Sequence, residues 1–231
     1  MDVVFVLVAP AVPENVGASC RALKTMGFHQ LRLVATEAHA QKQARILAHG
    51  STDVLEGARH YDSLQAALAD VDLSIGTSAK ARHPFRSLTP AHELAPVLAN
   101  KAGTLGRVAV VFGCEASGLS NDDVIQCDLV SNIALGAPYP SLNLAQAVML
   151  YAYELRGLAL GAQQPEAPSD AQQYRALREK VSALLQAHRY GPESKLARWA
   201  LEMLPKADTK AIGFLHALCD KLHRPTRSDE H

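Results

Sequence analysis

Apolar runs of strand length recur along the chain and alternate with segments of helical periodicity. The strand-like runs are residues 3–8, 31–34, 73–76, 107–113 and 129–135. Helical patterns lie between them, at residues 16–26, 41–49, 63–69, 89–101 and 121–126. Continuously apolar strands that alternate with helices are typical of a parallel sheet buried on both faces. The pattern therefore predicts an α/β fold, with a parallel sheet and helices on both of its faces.

The pattern changes in the C-terminal part of the chain. The segment GAQQPEAPSDAQQ, residues 161–173, is rich in glutamine, proline and small residues, which is typical of a linker. Three amphipathic helical patterns follow it, at residues 174–188, 192–204 and 206–222. We therefore divide the chain into an α/β domain (1–160), a linker (161–171), a small helical extension (172–222) and a flexible tail (223–231).

One helical pattern has almost no polar face. The segment YPSLNLAQAVMLYAYEL, residues 139–155, is apolar nearly all round from Leu144 onward, which predicts a buried helix. It begins with two small hydrogen-bonding residues, Ser141 and Asn143. These two residues either cap the helix or line a binding site, and the pattern alone leaves both interpretations open.

Four polar or glycine-rich segments follow predicted strands or precede helices. They are PENVGASCR (13–21), GTSAKAR (76–82), FGCEASGL (112–119) and GAPYPSLN (136–143). Ligands of open α/β sheets bind outside the carboxyl ends of the strands. We therefore expect these four segments to converge on one side of the sheet and to form a binding site there.

The charge balance gives little support to nucleic-acid binding on average but some support locally. Formal net charge is zero, with 23 basic and 23 acidic residues. No acidic residue lies between Asp72 and Glu93, whereas KARHPFR contributes Lys80, Arg82 and Arg86 within that interval. This basic loop is either an ordinary solvated loop or a contact for phosphate groups.

Composition places the chain among ordinary globular proteins. It has 231 residues, of which 48% are hydrophobic and 20% are charged. Its apolar runs are too short to span a membrane, and no secretion leader is recognisable at its start. The four cysteines show no CxxC pairing. We therefore expect a reduced, cytoplasmic protein without structural disulfides, metal or membrane association.

Two of the polar segments contain residues suited to binding. In the first, Asn15 is a possible cap of the following helix, Gly17 permits a close approach of another backbone or a ligand, and Arg21 and Lys24 share a helix face that could meet an anion. The segment around Gly113 matches neither the GxGxxG fingerprint nor the GxSxG elbow. Cys114 is interpreted as a small hydrophobic residue, because no activating base is evident in the sequence.

Glu115 follows a predicted buried strand directly. A carboxylate at that position needs hydrogen-bond donors, which a helix terminus, an arginine or a ligand could supply.

Three segments together resemble one enzyme family. ENVGASCRALKTMGF, VVFGCEASGLSNDDV and YPSLNLAQAVMLYAYEL are similar, in order and spacing, to the three motifs of the SpoU/TrmH (SPOUT) family of S-adenosylmethionine-dependent RNA 2'-O-ribose methyltransferases. The resemblance covers roughly residues 3–158, and the helical extension resembles that of the TrmJ/LasT branch. Cys114 stands where many relatives have arginine.

The resemblance implies further features of the fold and the site. The fold would carry a C-terminal trefoil knot and the chain would form a homodimer. The residues implied to bind S-adenosyl-L-methionine, or its product S-adenosyl-L-homocysteine, are Thr77, Ser78, Ala79, Gly113, Glu115, Ile133, Ser141, Leu142 and Asn143. The residues implied in catalysis are Arg21, contributed from the partner subunit, together with Asn15, Glu115, Ser141 and Asn143. The residues expected to contact RNA are Lys24, Lys80, Arg82 and Arg86.

The function implied is methylation of a ribose 2'-hydroxyl in tRNA, in preference to rRNA. Two alternatives stay open at this point. One is a noncatalytic RNA-binding relative that retains the cofactor pocket. The other is a flavodoxin-like domain that binds a nucleotide or a phosphate and in which Ser141 and Asn143 only cap a helix.

Overall fold

One parallel sheet organises the part of the chain that the structure describes. The computed structural model describes residues 1–79, 87–101, 103–136, 141–160, 169–207 and 209–222. The strands are β1 Asp2–Val8, β2 Leu31–Val34, β3 Arg59–Tyr61, β4 Leu73–Thr77, β5 Leu88–Pro90, β6 Arg107–Phe112 and β7 Leu129–Asn132. Their order in the sheet is β3-β2-β1-β6-β4-β7-β5, and all neighbouring strands pair in parallel.

Helices connect these strands and extend the chain at its C-terminal end. They are α1 Pro13–Thr25, α2 Lys42–Leu47, α3 Thr52–Glu56, α4 Leu64–Ala67, α5 Ala91–Ala99, α6 Asn121–Gln126, α7 Leu144–Leu160, α8 Ser169–Ala187, α9 Lys195–Met203 and α10 Thr209–Leu222. The serine caps of three helices form as their sequences suggest. Ser63, Ser120 and Ser194 each accept a hydrogen bond from a backbone amide of the first turn of α4, α6 and α9.

The sheet is buried on both faces, as the sequence pattern predicts. Alternate residues of β1 enter two separate hydrophobic clusters, with Phe5 and Leu7 in one and Val4 and Val6 in the other. The first cluster also holds buried residues of α1, α2, α3, α5 and α7, whereas the second holds residues of α4 and α6. The predicted fold class is therefore confirmed, while the trefoil knot stays a prediction.

The sequence pattern missed three short elements. Strands β3 and β5 have only three residues each, and both lie at the edges of the sheet. Arg59, His60 and Tyr61 form no apolar run because β3 is mostly exposed, so nothing in their pattern marks a strand. Helix α3 was not predicted because its five residues are too few to show a helical period. The strands predicted at 107–113 and 129–135 end earlier, at Phe112 and Asn132.

The helical extension packs against the α/β domain through buried side chains and ion pairs. Tyr174 and Leu177 of α8 are almost completely buried and join the first hydrophobic cluster. On the same helix, the Arg175 Nε atom lies 3.2 Å from Asp72 Oδ1, and a guanidinium nitrogen of Arg178 lies 2.7 Å from Asp128 Oδ1. Helix α8 begins at Ser169, so residues 169–171 of the predicted linker are helical. Residues 161–168 and the predicted tail lie outside the described residues.

The close contact between α1 and α2 depends on Gly17. A Cβ atom at this position would lie 2.1 Å from the Ala44 carbonyl oxygen and 2.9 Å from the Ala48 nitrogen, both of which are backbone atoms. The sequence left open whether another backbone or a ligand approaches Gly17, and the structure shows that a backbone does.

We expect the substitution Gly17→Ala to lower the thermal unfolding midpoint, because α2 must move away from α1 and lose buried contacts. Overpacking of this kind costs about 1–3 kcal/mol. Gly213→Ala in α10 is the matched control, since a Cβ atom there meets nothing within 4 Å. The control should raise stability by roughly 0.5–1 kcal/mol through its higher helix propensity. Equal midpoints for the two variants would contradict the assigned packing.

Candidate functional site

A cavity of about 340 Å³ lies at the carboxyl ends of β4, β6 and β7. This is the side of a parallel sheet where ligands bind, and the volume is that of a small-molecule site. Eight of the nine predicted cofactor residues line the cavity. They are Thr77, Ser78, Ala79, Gly113, Glu115, Ile133, Ser141 and Leu142. The predicted convergence of the segments after β4 and β6 with the segment before α7 is therefore observed.

The segment after β6 turns back on itself because of Gly113. A Cβ atom at Gly113 would lie only 1.9 Å from the Gly118 carbonyl carbon and 2.0 Å from the Leu119 nitrogen. Gly118 itself adopts a left-handed φ of 68°, and its amide donates to the Cys114 carbonyl oxygen at 2.8 Å. The tight turn places the backbone of residues 113–119 along the wall of the cavity.

The Glu115 carboxylate is bound at the start of α1. Its Oε2 atom accepts a hydrogen bond from the Ala11 amide at 2.9 Å, and its Oε1 atom accepts from the Val12 amide at 3.2 Å. The Asn15 Nδ2 atom donates to the same Oε1 at 2.9 Å. Partial burial raises the pKa of Glu115, but the hydrogen bonds from Ala11 and Asn15 outweigh it and leave the pKa below its ordinary value. The carboxylate thus finds its donors at a helix terminus, one of the possibilities that the sequence left open.

Asn15 connects this carboxylate to the start of α7. Its Oδ1 atom accepts a hydrogen bond from the Asn143 Nδ2 atom at 2.8 Å. Helix α1 begins at Pro13 instead of residue 16, and Asn15 therefore lies inside the first turn. The interpretation of Asn15 as a helix cap is wrong, because both polar atoms of its side chain are used to bridge Glu115 and Asn143.

Asn143 caps α7 and takes part in the bridge at the same time. Its Oδ1 atom accepts from the Ala145 amide at 2.8 Å, while Gln146 Oε1 accepts from the Asn143 amide at 3.1 Å. The Asn143 side chain thus caps the second residue of the helix, and the Gln146 side chain in turn accepts from the backbone of the cap residue. Capping therefore uses the oxygen of the Asn143 side chain, and its nitrogen contacts Asn15. The capping interpretation therefore holds for Asn143, which is not among the residues that line the cavity, whereas Ser141 does line it.

The segment after β4 is fixed by two neighbouring strands. The Thr77 hydroxyl donates to the Val111 carbonyl oxygen of β6 at 3.0 Å. The Ser78 amide donates to the Ser131 carbonyl oxygen of β7 at 2.9 Å. Both contacts involve backbone acceptors, so this part of the cavity wall is held by the sheet itself.

The two predicted basic residues of α1 lie outside the cavity wall. Arg21 and Lys24 are exposed on α1, and Arg21 is not among the residues that line the cavity. The Lys24 Nζ atom lies 2.7 Å from Asp53 Oδ1 in an exposed ion pair. Lys80, Arg82 and Arg86 lie outside the described residues.

Sequence reasoning missed two aromatic residues of the cavity wall, Phe112 and Tyr151. Helical spacing places Tyr151 on the same face of α7 as Leu144 and Ala147, which also line the cavity. That spacing could have marked Tyr151 as a residue of the cavity wall. It did not single out this face because α7 is apolar nearly all round.

Cys114 also lines the cavity. Its Sγ atom lies 3.1 Å from the Ser117 hydroxyl oxygen. This hydrogen bond, with neighbouring backbone amides, lowers the pKa of the Cys114 thiol.

Within the described residues, no helix is long and apolar enough to cross a membrane, and no three potential metal-ligating side chains form a cluster.

The pKa of Glu115 predicts a pH dependence of stability. Because the folded-state pKa lies below the ordinary value of 4.5, the carboxylate contributes its full stabilisation above that pH and loses it as the pH falls through the folded-state pKa. Glu115→Gln should therefore have a lower unfolding midpoint than the wild type at pH 7, and the difference should shrink on acidification. The control Glu179→Gln changes an exposed carboxylate of α8 and should follow the wild-type curve. A difference that is constant with pH would refute the assigned role of Glu115.

Comparison with known proteins agrees with this geometry. The family model of the SpoU rRNA methylase family matches residues 2–153, and that of the C-terminal domain of the tRNA/rRNA methyltransferase LasT matches residues 171–225. The uncharacterized tRNA/rRNA methyltransferase LasT of Escherichia coli (strain K12) is 37% identical over 224 residues, which cover 97% of this chain and 98% of that protein.

A relative with a more specific name and a solved structure extend the comparison. The tRNA (cytidine/uridine/adenosine-2'-O-)-methyltransferase TrmJ of Pseudomonas aeruginosa (strain UCBPP-PA14) is 40% identical over 159 residues, which cover 68% of this chain and 62% of that protein. The crystal structure of TrmJ from Z. mobilis ZM4 superimposes with a TM-score of 0.66 at 27% identity, covering 97% of this chain and all of that one. With residues 2–153 matched by the family model and its fold shared with a TrmJ structure, the chain belongs to the SpoU rRNA methylase family.

Proposed function

We propose that this protein transfers a methyl group from S-adenosyl-L-methionine to a ribose 2'-hydroxyl in tRNA. The observation that carries the proposal is the cavity in which segments after β4 and β6 meet the start of α7. Family membership supports the reaction class. The names of the TrmJ relatives, which are tRNA 2'-O-methyltransferases, favour tRNA over rRNA.

The residues of the cavity suit the proposed cofactor. Its wall combines apolar side chains such as Ile133, Leu142 and Tyr151 with the backbone of the Gly113 turn. An adenine ring needs an apolar slot and a few directional hydrogen bonds, which such a wall can supply. When bound, S-adenosyl-L-methionine supplies a methyl group on a positively charged sulfur. Among the described residues that line the cavity, Glu115 is the acidic one. Its hydrogen-bond donors keep the carboxylate ionised, and a negative charge in the wall favours a cationic ligand.

The bridge from Glu115 through Asn15 to Asn143 joins all three motif segments. Each of its hydrogen bonds measures 2.8 or 2.9 Å between side-chain atoms. A shift of the Glu115 or the Asn143 segment would break a hydrogen bond to Asn15, which is only 8% exposed, so the segments keep one relative position. This pre-organisation supports an active enzyme over a noncatalytic RNA-binding relative, because precise alignment of the methyl donor and the ribose oxygen lowers the reaction barrier.

Arg21 is the proposed catalytic cation. A guanidinium stays protonated in proteins, so it is better suited to hold the phosphate next to the ribose and to stabilise the developing negative charge on the 2'-oxygen than to act as a base. Arg21 does not line the cavity of its own chain. The proposal therefore places Arg21 of the partner subunit at this cavity in a homodimer.

Exposed apolar side chains support the homodimer. Leu150 and Tyr153 of α7 are 38% and 47% exposed, and Val12, next to α1, is 38% exposed. A second copy that covers these residues would remove apolar surface from water and would bring its own α1 close to α7. We infer the trefoil knot and the homodimer together, as features that go with the family.

RNA would approach from the side of the basic residues. The ion pair between Lys24 and Asp53 is exposed at both partners and contributes little to stability, so a phosphate group can replace the carboxylate. Lys80, Arg82 and Arg86 remain the other proposed phosphate contacts.

The reaction is tested by incubating the protein with radiolabelled S-adenosyl-L-methionine and either total tRNA or rRNA, followed by nucleoside analysis. We expect label in a 2'-O-methylated nucleoside of tRNA and a dissociation constant for S-adenosyl-L-homocysteine measurable by calorimetry. Cofactor binding without transfer to either RNA would favour the noncatalytic relative. The absence of cofactor binding would favour the flavodoxin-like alternative.

The role of Arg21 is tested by complementation between two inactive variants. Arg21→Ala should abolish transfer while changing cofactor affinity less than about two-fold, whereas Asn143→Ala should weaken cofactor binding and destabilise the start of α7 by about 1 kcal/mol. In mixed dimers of the two variants, one site combines an intact cavity with Arg21 of the other subunit. Co-expressed heterodimers should therefore regain up to about half of the wild-type activity, since one of two sites is complete.

The control for complementation is a heterodimer of Arg21→Ala with the doubly substituted chain, which has no complete site. It should stay inactive. Failure of the first heterodimer to regain activity, although it forms and binds the cofactor, would show that Arg21 does not act across the subunit interface.

A further inference from the structure

Tyr151 occupies a central position behind the cavity. It is only 2% exposed, yet it is one of the residues that form the cavity wall. Its hydroxyl donates a hydrogen bond to the Ser131 Oγ atom at 3.0 Å, and Ser131 is completely buried. Its ring meets the Phe112 ring edge to face, with 5.4 Å between the ring centroids. The side chain therefore has one polar and one aromatic partner, each on a different strand.

These two partners lead directly to the other segments of the site. The carbonyl oxygen of Ser131 in β7 also accepts a hydrogen bond from the amide of Ser78, in the segment after β4. Phe112 is the last residue of β6 and immediately precedes the Gly113 turn. Tyr151 itself lies about two turns beyond Asn143 on α7. One side chain thus joins all three segments that form the cavity.

The hydroxyl of Tyr151 keeps its proton under ordinary conditions. Burial raises the pKa of Tyr151 well above its usual value, although the hydrogen bond with Ser131 acts in the opposite direction. The phenol therefore acts as a neutral donor, and its bond to Ser131 is not subject to titration near neutral pH. A neutral hydrogen bond between two buried hydroxyl groups fixes distance and direction without adding charge to the cavity.

We propose that Tyr151 is a positioning residue for the cofactor site, because its bond to Ser131 and its contact with Phe112 hold the segments after β4 and β6 at a fixed distance from α7. The inference rests on the proposed function, since it assigns the segments to cofactor binding. It concerns a buried residue of α7 within the third motif, to which the family resemblance assigns no role.

The test uses Tyr151→Phe, Ser131→Ala and the double variant. Each single substitution leaves one buried hydroxyl without its partner, whereas the double variant removes both. Stability should therefore fall in the single variants and recover at least partly in the double variant. Cofactor affinity should fall about ten-fold in all three, because the connection between β7 and α7 is missing from each of them.

Two measurements separate positioning from simple packing. Calorimetry with S-adenosyl-L-homocysteine gives the affinity, and steady-state kinetics separate KM for S-adenosyl-L-methionine from kcat. We expect KM to rise and kcat at saturating cofactor to stay within about two-fold of the wild type. This pattern results when a variant binds the ground state and the transition state more weakly by the same amount. Recovery of affinity together with stability in the double variant would overturn the proposal.

The matched control is Tyr174→Phe, which removes the hydroxyl of another buried tyrosine in α8, outside the cavity wall. Its cofactor affinity should equal that of the wild type. Wild-type protein that binds no cofactor would refute the proposed function itself. Cofactor binding that is normal in the wild type and unchanged in Tyr151→Phe would refute only the role of Tyr151.

Discussion

The carboxylate of Glu115 is the constraint on which the site depends. It follows a buried strand and accepts hydrogen bonds from the amides of Ala11 and Val12, where the chain enters α1. Those amides need an acceptor because they precede the first turn of a helix that begins with proline. The Asn15 side chain donates a hydrogen bond to the same carboxylate and accepts one from the Asn143 side chain. The hydrogen bonds of this one carboxylate thus tie together segments that lie about a hundred residues apart in the chain.

The apolar contacts behind the cavity complement this polar bridge. The bridge lies at the starts of α1 and α7, whereas Phe112, Ser131 and Tyr151 meet beneath the cavity, between the sheet and α7. The hydrogen-bonded bridge fixes the side chains of the motif residues. The buried contacts beneath the cavity fix the backbone of the segments to which those side chains belong. A cofactor bound between the two would meet walls that need little rearrangement, which favours affinity.

The helical extension is joined to the sheet domain by charges that are largely shielded from water on the domain side. The side chains of Asp72 and Asp128 are only 3% and 6% exposed, and each also accepts backbone hydrogen bonds from its own domain. Arg175 and Arg178 each add an ion pair to one of these carboxylates. A buried carboxylate that loses one partner is costly, so this arrangement specifies one orientation of α8 against the sheet.

The amino-acid sequence was enough to predict the parallel sheet with helices on both faces, the helical extension and the convergence of the motif segments, because hydrophobic periodicity and strand polarity are local properties of the chain. It could not show the short edge strands, whose residues form no apolar run, nor the true role of Asn15. The role of Asn15 as the link between the other two motifs became visible only in the folded chain, as did the role of Tyr151 between the sheet and α7. Hydrogen bonds between residues so distant in the chain depend on the packing of whole elements, and the pattern of single residues carries no record of that packing.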